Sequence, residues 1–177
     1  MKIEGVNRSE LARHFVVDLP VGFREEDGEL VPVIVSARFR IMSLDFTDNV
    51  EAKLPPKPVP PKRPLRSRGK PERDEQGRPI YEYDERDTRY LRQIDAHNRA
   101  YSAAMFIEAL DDPAWEFAAT RPDDSAESSE WMAYYRAIWD EMSEFGLSAQ
   151  ALTTVANRIR EMSGISDADI EAAKEGF

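Results

Sequence analysis

The sequence contains no cysteine, which excludes disulfides and thiolate metal sites outright. Glycine is scarce, with eight residues in 177, and none of them builds a phosphate-cradling loop. A nucleophile elbow and a helix-borne histidine pair for zinc are both missing. His14 and His97 are the only side chains whose ordinary pKa makes them bases near neutral pH. Long hydrophobic runs are absent too. No window approaches about eighteen apolar residues, so no membrane span is expected. The opening MKIEGVNRSELARHF lacks the apolar run of a signal peptide. These absences lead us to expect a soluble, cytoplasmic protein of a reducing compartment, with no cofactor and no bound metal.

What the chain does have is charge. Its formal net charge is -10, and 33% of its residues are charged against 41% hydrophobic. Part of the chain is therefore expected to pack a core and part to stay solvated. The charge is uneven. Residues 1–51 hold six basic and ten acidic groups, a net of -4; residues 52–110 hold thirteen and nine, a net of +4; residues 111–177 hold five and fifteen, a net of -10. An acidic surface repels phosphates, so nucleic acid is not an expected partner.

Two stretches alternate as strands do. Phe15, Val17, Leu19, Val21 and Phe23 share one face, and Val31, Val33, Val35, Ala37, Phe39 and Ile41 share another. A two-residue Asp27-Gly28 loop pairs Phe23 with Pro32 and sets the two apolar faces on opposite sides. A three-residue loop, Glu26-Asp27-Gly28, pairs Phe23 with Val31 and Phe15 with Phe39, and aligns both faces. We therefore expect the three-residue hairpin. A lone hairpin is marginal in water and needs a cover.

Helical spacing supplies the cover. Asp84–Leu110 reads as one long helix with Leu91, Ile94, Asn98, Tyr101 and Met105 on a face, stopped before Pro113. Ser128–Gly146 reads as a second, with Trp131, Tyr134, Tyr135, Ile138, Met142 and Phe145 inward and Gly146 as C-cap. Ser148–Gly164 reads as a third, with Ser148 as N-cap and Leu152, Val155, Ile159 and Met162 inside. Ser166 and Asp169 open a short last helix. The expected class is α+β: an N-terminal antiparallel hairpin, with Ile80–Tyr83 as a third strand or the far side of a small extended hairpin, and a C-terminal bundle of three to four helices. We divide it into a hairpin region over 1–53, an arm over 54–83 and a helical region over 84–177 that packs on the hairpin, one domain overall.

The arm is LPPKPVPPKRPLRSRGKP, Leu54 to Pro71, with seven prolines, six basic residues and no acid. It matches neither period, and its prolines favour an extended polyproline conformation. Pro58-Val59-Pro60-Pro61-Lys62-Arg63 has the form of a proline-rich ligand with a flanking cation. The charges keep such an arm solvated, or meet an acidic protein surface. The candidate partner-binding residues are accordingly Lys57, Lys62, Arg63, Arg66 and Arg68, together with Trp115, Trp131 and Trp139, which pack a core or form an aromatic patch. His97 is expected as a helix-surface or interface residue. Asp140 and Glu144, one helical turn apart, are expected on a solvated face, because a metal needs more oxygen ligands than they offer.

The order of parts resembles that of the tail assembly chaperones of long-tailed bacteriophages. Strands ending in VSARFRIMS precede a helix leading into EALDDPAWEFA, a second ending in EFGLSAQAL and a third running into MSGIS. The likeness is one of layout, over residues 30–165. It implies a small, acidic, helix-rich, non-enzymatic protein of the host cytoplasm that binds the tape measure protein or another tail protein before the tail tube forms. No catalytic residue is implied. Two other classes stay open: a structural component of a virion whose arm laces neighbouring copies, and a small acidic inhibitor or immunity protein that mimics nucleic acid.

Overall fold

A computed structural model of the protein describes residues 14–43, 45–67 and 69–162. Arg68 and the expected last helix from Ser166 lie outside the described residues. The chain divides into two compact units. The first joins residues 1–55 to residues 100–177, and the second is residues 56–99.

The first unit starts with the hairpin, β1 (His14–Glu26) and β2 (Glu29–Arg40), paired antiparallel. Its turn is the two-residue one, which corrects the expected loop. Glu26 faces Glu29, and Asp27 and Gly28 both take positive φ, 52° and 84°. That is the geometry of a type I′ turn, whose twist matches the strands and which Asp-Gly readily adopts. Phe23 consequently pairs with Pro32, not Val31. The register then shifts between Pro20 and Gly22, where Val21 is an extra residue, so that Phe15 faces Phe39 as expected. A bulge thus reconciles the turn the local residues prefer with the register the core requires.

Below the bulge the inner face packs well. Leu19, Ala37 and Phe39 are buried, and Phe15, Val17 and Val35 pack against the core. A short helix that sequence spacing did not suggest, α1 (Phe46–Lys53), follows the hairpin and buries Phe46 and Val50. Its signal is weak: eight residues, two large apolar positions, and no side-chain hydrogen bond at its N-cap.

Three longer helices complete the element order: α2 (Thr88–Ala109), α3 (Ser128–Glu144) and α4 (Ala149–Met162). The buried face of α2 is Ala100, Ala103, Ala104, Met105, Phe106 and Ala109. Of the apolar positions expected to face inward, Met105 is buried, while Leu91 is exposed. The buried residues lie in the C-terminal half of the helix, which belongs to the first unit, and Ala100, Ala103, Ala104 and Ala109 let other elements approach its backbone closely there. Leu91 lies in the half that belongs to the second unit. On α3, Trp131, Tyr134, Tyr135, Ile138 and Met142 are buried as the spacing predicts. This helix ends in a Schellman motif: Leu147 N–H donates to the Met142 carbonyl and Gly146 N–H to the Ser143 carbonyl, both at 3.0 Å, with Gly146 at φ 104°. The α4 N-cap is Ser148, whose Oγ accepts from Ala151 N–H at 3.1 Å.

The second unit carries four short strands: β3 (Lys62–Pro64), β4 (Arg66–Ser67), β5 (Lys70–Pro71) and β6 (Tyr81–Tyr83). β3 pairs with β6 and β4 with β5. Residues 81–83 are therefore the far side of a small extended hairpin, and the proline-rich strip carries strand at Lys62–Pro64, Arg66–Ser67 and Lys70–Pro71. Residues 55–61 hold neither helix nor strand. The Asp74 carboxylate closes the turn before β6 by accepting from Gln76 N–H at 3.0 Å and Arg78 N–H at 2.8 Å. No described residue of 56–99 is fully buried, so this unit is held by backbone pairing and turns and has no apolar core.

Candidate functional site

Three places in the first unit concentrate chemistry. The outermost is the solvent face of the hairpin. Residues directly opposite each other across two strands share a face, so the two-residue turn puts Phe23 beside Pro32 on the outer side. Pro20 and Ile34 pair next to them, and Leu30 lies nearer the turn. Val16, Phe23, Leu30 and Ile34 are 62%, 71%, 72% and 57% exposed. The bulge brings Phe23 into this stripe, since without it Phe23 points inward. The turn beside it is acidic, with Glu25, Glu26, Asp27 and Glu29 against Arg24, a net of -3.

The second place is a cleft of about 430 Å³, within the range of small-ligand and peptide sites. It is lined by Val35, Trp115, Phe117, Met142 and Phe145, and by Glu116 and Glu141. A ladder of rings leads to it from the core. Phe15 stacks on Phe39 at 5.6 Å, Phe39 meets Phe106 edge-on at 5.0 Å, Phe106 meets Trp115 at 5.5 Å, and Trp115 meets Phe145 at 6.2 Å. The segment after α2 is fastened to β2. Asp111 N–H donates to the Arg38 carbonyl at 2.9 Å, and Arg38 Nε donates back to the Asp111 carbonyl at 2.7 Å. Glu141 fixes the next turn of chain, accepting from Ala118 and Ala119 N–H at 2.8 Å each. Trp115 is thereby held from both sides, and its Nε1–H points to the Ser36 carbonyl at 3.4 Å. Ser36 also lines the cleft, and its hydroxyl donates to Asp18 at 2.6 Å.

The third place surrounds Glu108, on the last turns of α2. Its carboxylate accepts from the Tyr135 hydroxyl at 2.9 Å and pairs with Lys53 and Arg121, each at 3.1 Å. Burial pushes the Glu108 carboxyl up, but Tyr135, Arg121 and Lys53 together outweigh it and hold it below its ordinary value. Burial, reinforced by the Glu108 charge, holds the Tyr135 phenol protonated far above its usual range. Lys53 and Arg121 also lie over the Trp131 ring, at 4.3 and 5.2 Å from its centroid. One carboxylate, two cations and one indole thus tie α1, α2, α3 and the 121 segment together.

The residues singled out from sequence separate. Trp115 lines the cleft. Trp131 is 2% exposed and stacked on Tyr135 at 5.5 Å, so it is a core residue and not a partner surface. Trp139 is partly buried against the same core. In the second unit Lys57 is exposed, Lys62 lies 5.4 Å from the Tyr83 ring, and Arg63 pairs with Glu82 at 2.9 Å and Asp84 at 3.1 Å. Arg66 is exposed on β4. His14 pairs with Asp111 at 2.6 Å. Asp140 and Glu144 are exposed, and among the described residues no three His, Asp or Glu side chains converge as metal ligands. Among the described residues no helix is long and apolar enough to cross a membrane. Sequence reasoning missed Phe23, Leu30 and Ile34 as a surface and Phe145 as a cleft wall. The Asp-Gly dipeptide was the available signal for the first group; for Phe145 it was its place beside the capping Gly146.

No protein-family model, curated protein or solved structure matches this chain.

Proposed function

We propose that the chain is a non-enzymatic assembly protein of the tail-assembly-chaperone kind, which holds the tape measure or another tail protein on the outer face of its hairpin. The observation that carries the reading is the stripe formed by Phe23, Leu30, Pro32 and Ile34 on the solvent side of β1 and β2. Contiguous apolar surface of this kind is uncommon on a soluble monomer and marks a contact surface. Covering each of its large side chains is worth about 1.5–3 kcal/mol. The exposed two-stranded stripe suits an apolar stripe on a partner helix, and the acidic turn repels acidic competitors. The host cytoplasm, where tail proteins meet before assembly, is the compartment that goes with this role.

The test is to look for a tape-measure-sized reading frame beside this gene, whose absence counts against the reading, and to co-express its product with the chain. Wild-type chain is expected to hold that protein in a soluble complex. The triple variant Phe23→Ser, Leu30→Ser, Ile34→Ser is expected to fold, by circular dichroism, and to release it. A partner bound equally by both, or by neither, sinks the reading.

A further inference from the structure

The proline-rich strip and the Trp115 cleft are chemically complementary, although they lie in different units of the chain. Residues 55–61 contain five prolines and hold neither helix nor strand. Such a segment favours polyproline geometry, with three residues per turn. Positions three apart then share an edge, as Pro56 and Val59 do, and Lys62, the first residue of β3, follows at the end of the segment. All three are exposed, Val59 at 69%. The three read apolar, apolar, cationic, and exposed Lys57 lies beside Pro56. The cleft reads as its counterpart. Trp115, Phe117 and Phe145 give it aromatic walls, Phe145 is 59% exposed at its mouth, and Glu116 and Glu141 supply negative charge. Stiff proline-rich segments dock in aromatic-lined grooves of this kind, because little chain entropy is left to lose.

We propose that the Trp115–Phe145 cleft of one copy takes the Pro56–Lys62 strip of a second copy. Val59 enters between the aromatic rings, and Lys57 and Lys62 face Glu116 and Glu141. The contact is small and belongs to the weak class, below roughly 1,200 Å² of buried surface. It is a heterologous contact, donor strip to acceptor cleft, so a growing chain of copies keeps one unused strip at one end and one unused cleft at the other. It goes beyond the hairpin reading: the surface is separate, and the readout is self-association, not capture of a tail protein.

Sedimentation of the full chain from about 10 µM to about 1 mM tests it. The wild-type average mass is expected to rise above that of one copy, less so at about 0.5 M salt than at about 0.05 M. Val59→Glu disables the strip and leaves the cleft. Phe145→Ser disables the cleft and leaves the strip, and Glu116→Lys does the same from an exposed position should Phe145→Ser fold poorly. Each variant alone is expected to associate at least about tenfold more weakly than wild type. An equimolar mixture of a strip variant and a cleft variant restores one good contact and is expected to stop at two copies. A wild-type chain that stays single, variants that associate as wild type does, or a mixture no heavier than its components would each overturn the proposal.

Discussion

The backbone carbonyl of Val21 occupies the space that a Cβ on Gly146 would fill. Val21 is the extra residue of the β1 bulge, and Gly146 is the left-handed residue that ends α3. The two irregularities of the first unit therefore interlock. Glycine is required twice over at position 146, for its φ of 104° and for the approach of the strand. The same bulge sets Phe39 inward and Phe23 outward, so this one contact underlies both the core and the exposed stripe.

Gly146→Ala is expected to cost about 3 kcal/mol or more. The backbone strain alone accounts for roughly 1–3 kcal/mol, and the Val21 carbonyl is backbone and has nowhere to rotate. Urea unfolding measures it. A loss under about 0.5 kcal/mol would show that strand and helix end move apart freely.

Phe23 and Phe39 lie on opposite faces of one hairpin, and truncating them should have opposite consequences. Phe39→Ala removes a fully buried ring that touches Phe15 and Phe106, and is expected to cost about 3–5 kcal/mol. Phe23→Ser is expected to stay within about 0.5 kcal/mol of wild type, as exposed positions do. Equal losses at both positions would place Phe23 in the core and remove the two-residue turn.

Replacing Glu108 by Gln keeps the shape but removes the charge that Lys53 and Arg121 face. A cost of about 1–3 kcal/mol at neutral pH is expected, toward the lower end because Arg121 is half exposed. The pH dependence has a definite sign. The folded carboxyl lies below its ordinary value, so its contribution is complete above the unfolded value of about 4.3 and disappears as pH falls through the folded one. The stability gap between wild type and variant should therefore narrow below about pH 4. A gap that stays constant down to about pH 3 means that the network does not depend on the charge.

The turn admits a finer test. A type I′ turn prefers Asn-Gly as much as Asp-Gly, and Asp27 adds to the charge of Glu25, Glu26 and Glu29. Asp27→Asn is expected to raise stability by a few tenths of a kcal/mol at low salt, whereas Gly28→Ala, at φ 84°, lowers it by about 1 kcal/mol. Thermal melts of the two variants give the comparison. A harmless Gly28→Ala would mean that residue 28 does not hold the positive φ that the two-residue turn requires.

Where local chemistry was sufficient, the sequence alone determined the result. Period and cap together defined α3 and α4, because Ser148, Gly146 and the Trp131-to-Met142 spacing act within a few residues of one another. Alternation defined the two long strands for the same reason. Tertiary structure decided where two local rules conflicted or where the partner surface lay far along the chain. The Asp27-Gly28 turn and the Phe15–Phe39 pairing demand different registers, and only a bulge seated on Gly146 satisfies both. The buried part of α2 is its C-terminal half, where Ala103 to Phe106 are enclosed on every side, and not the half that carries Leu91 and Ile94, because burial along a helix depends on which elements reach it. Trp131 and Phe145 share one periodic face, yet the first is enclosed by Tyr135, Lys53 and Arg121 and the second stands at the open end of the helix. Periodicity specifies direction around a helix axis; it says nothing of what waits there, and that depends on residues tens of positions away.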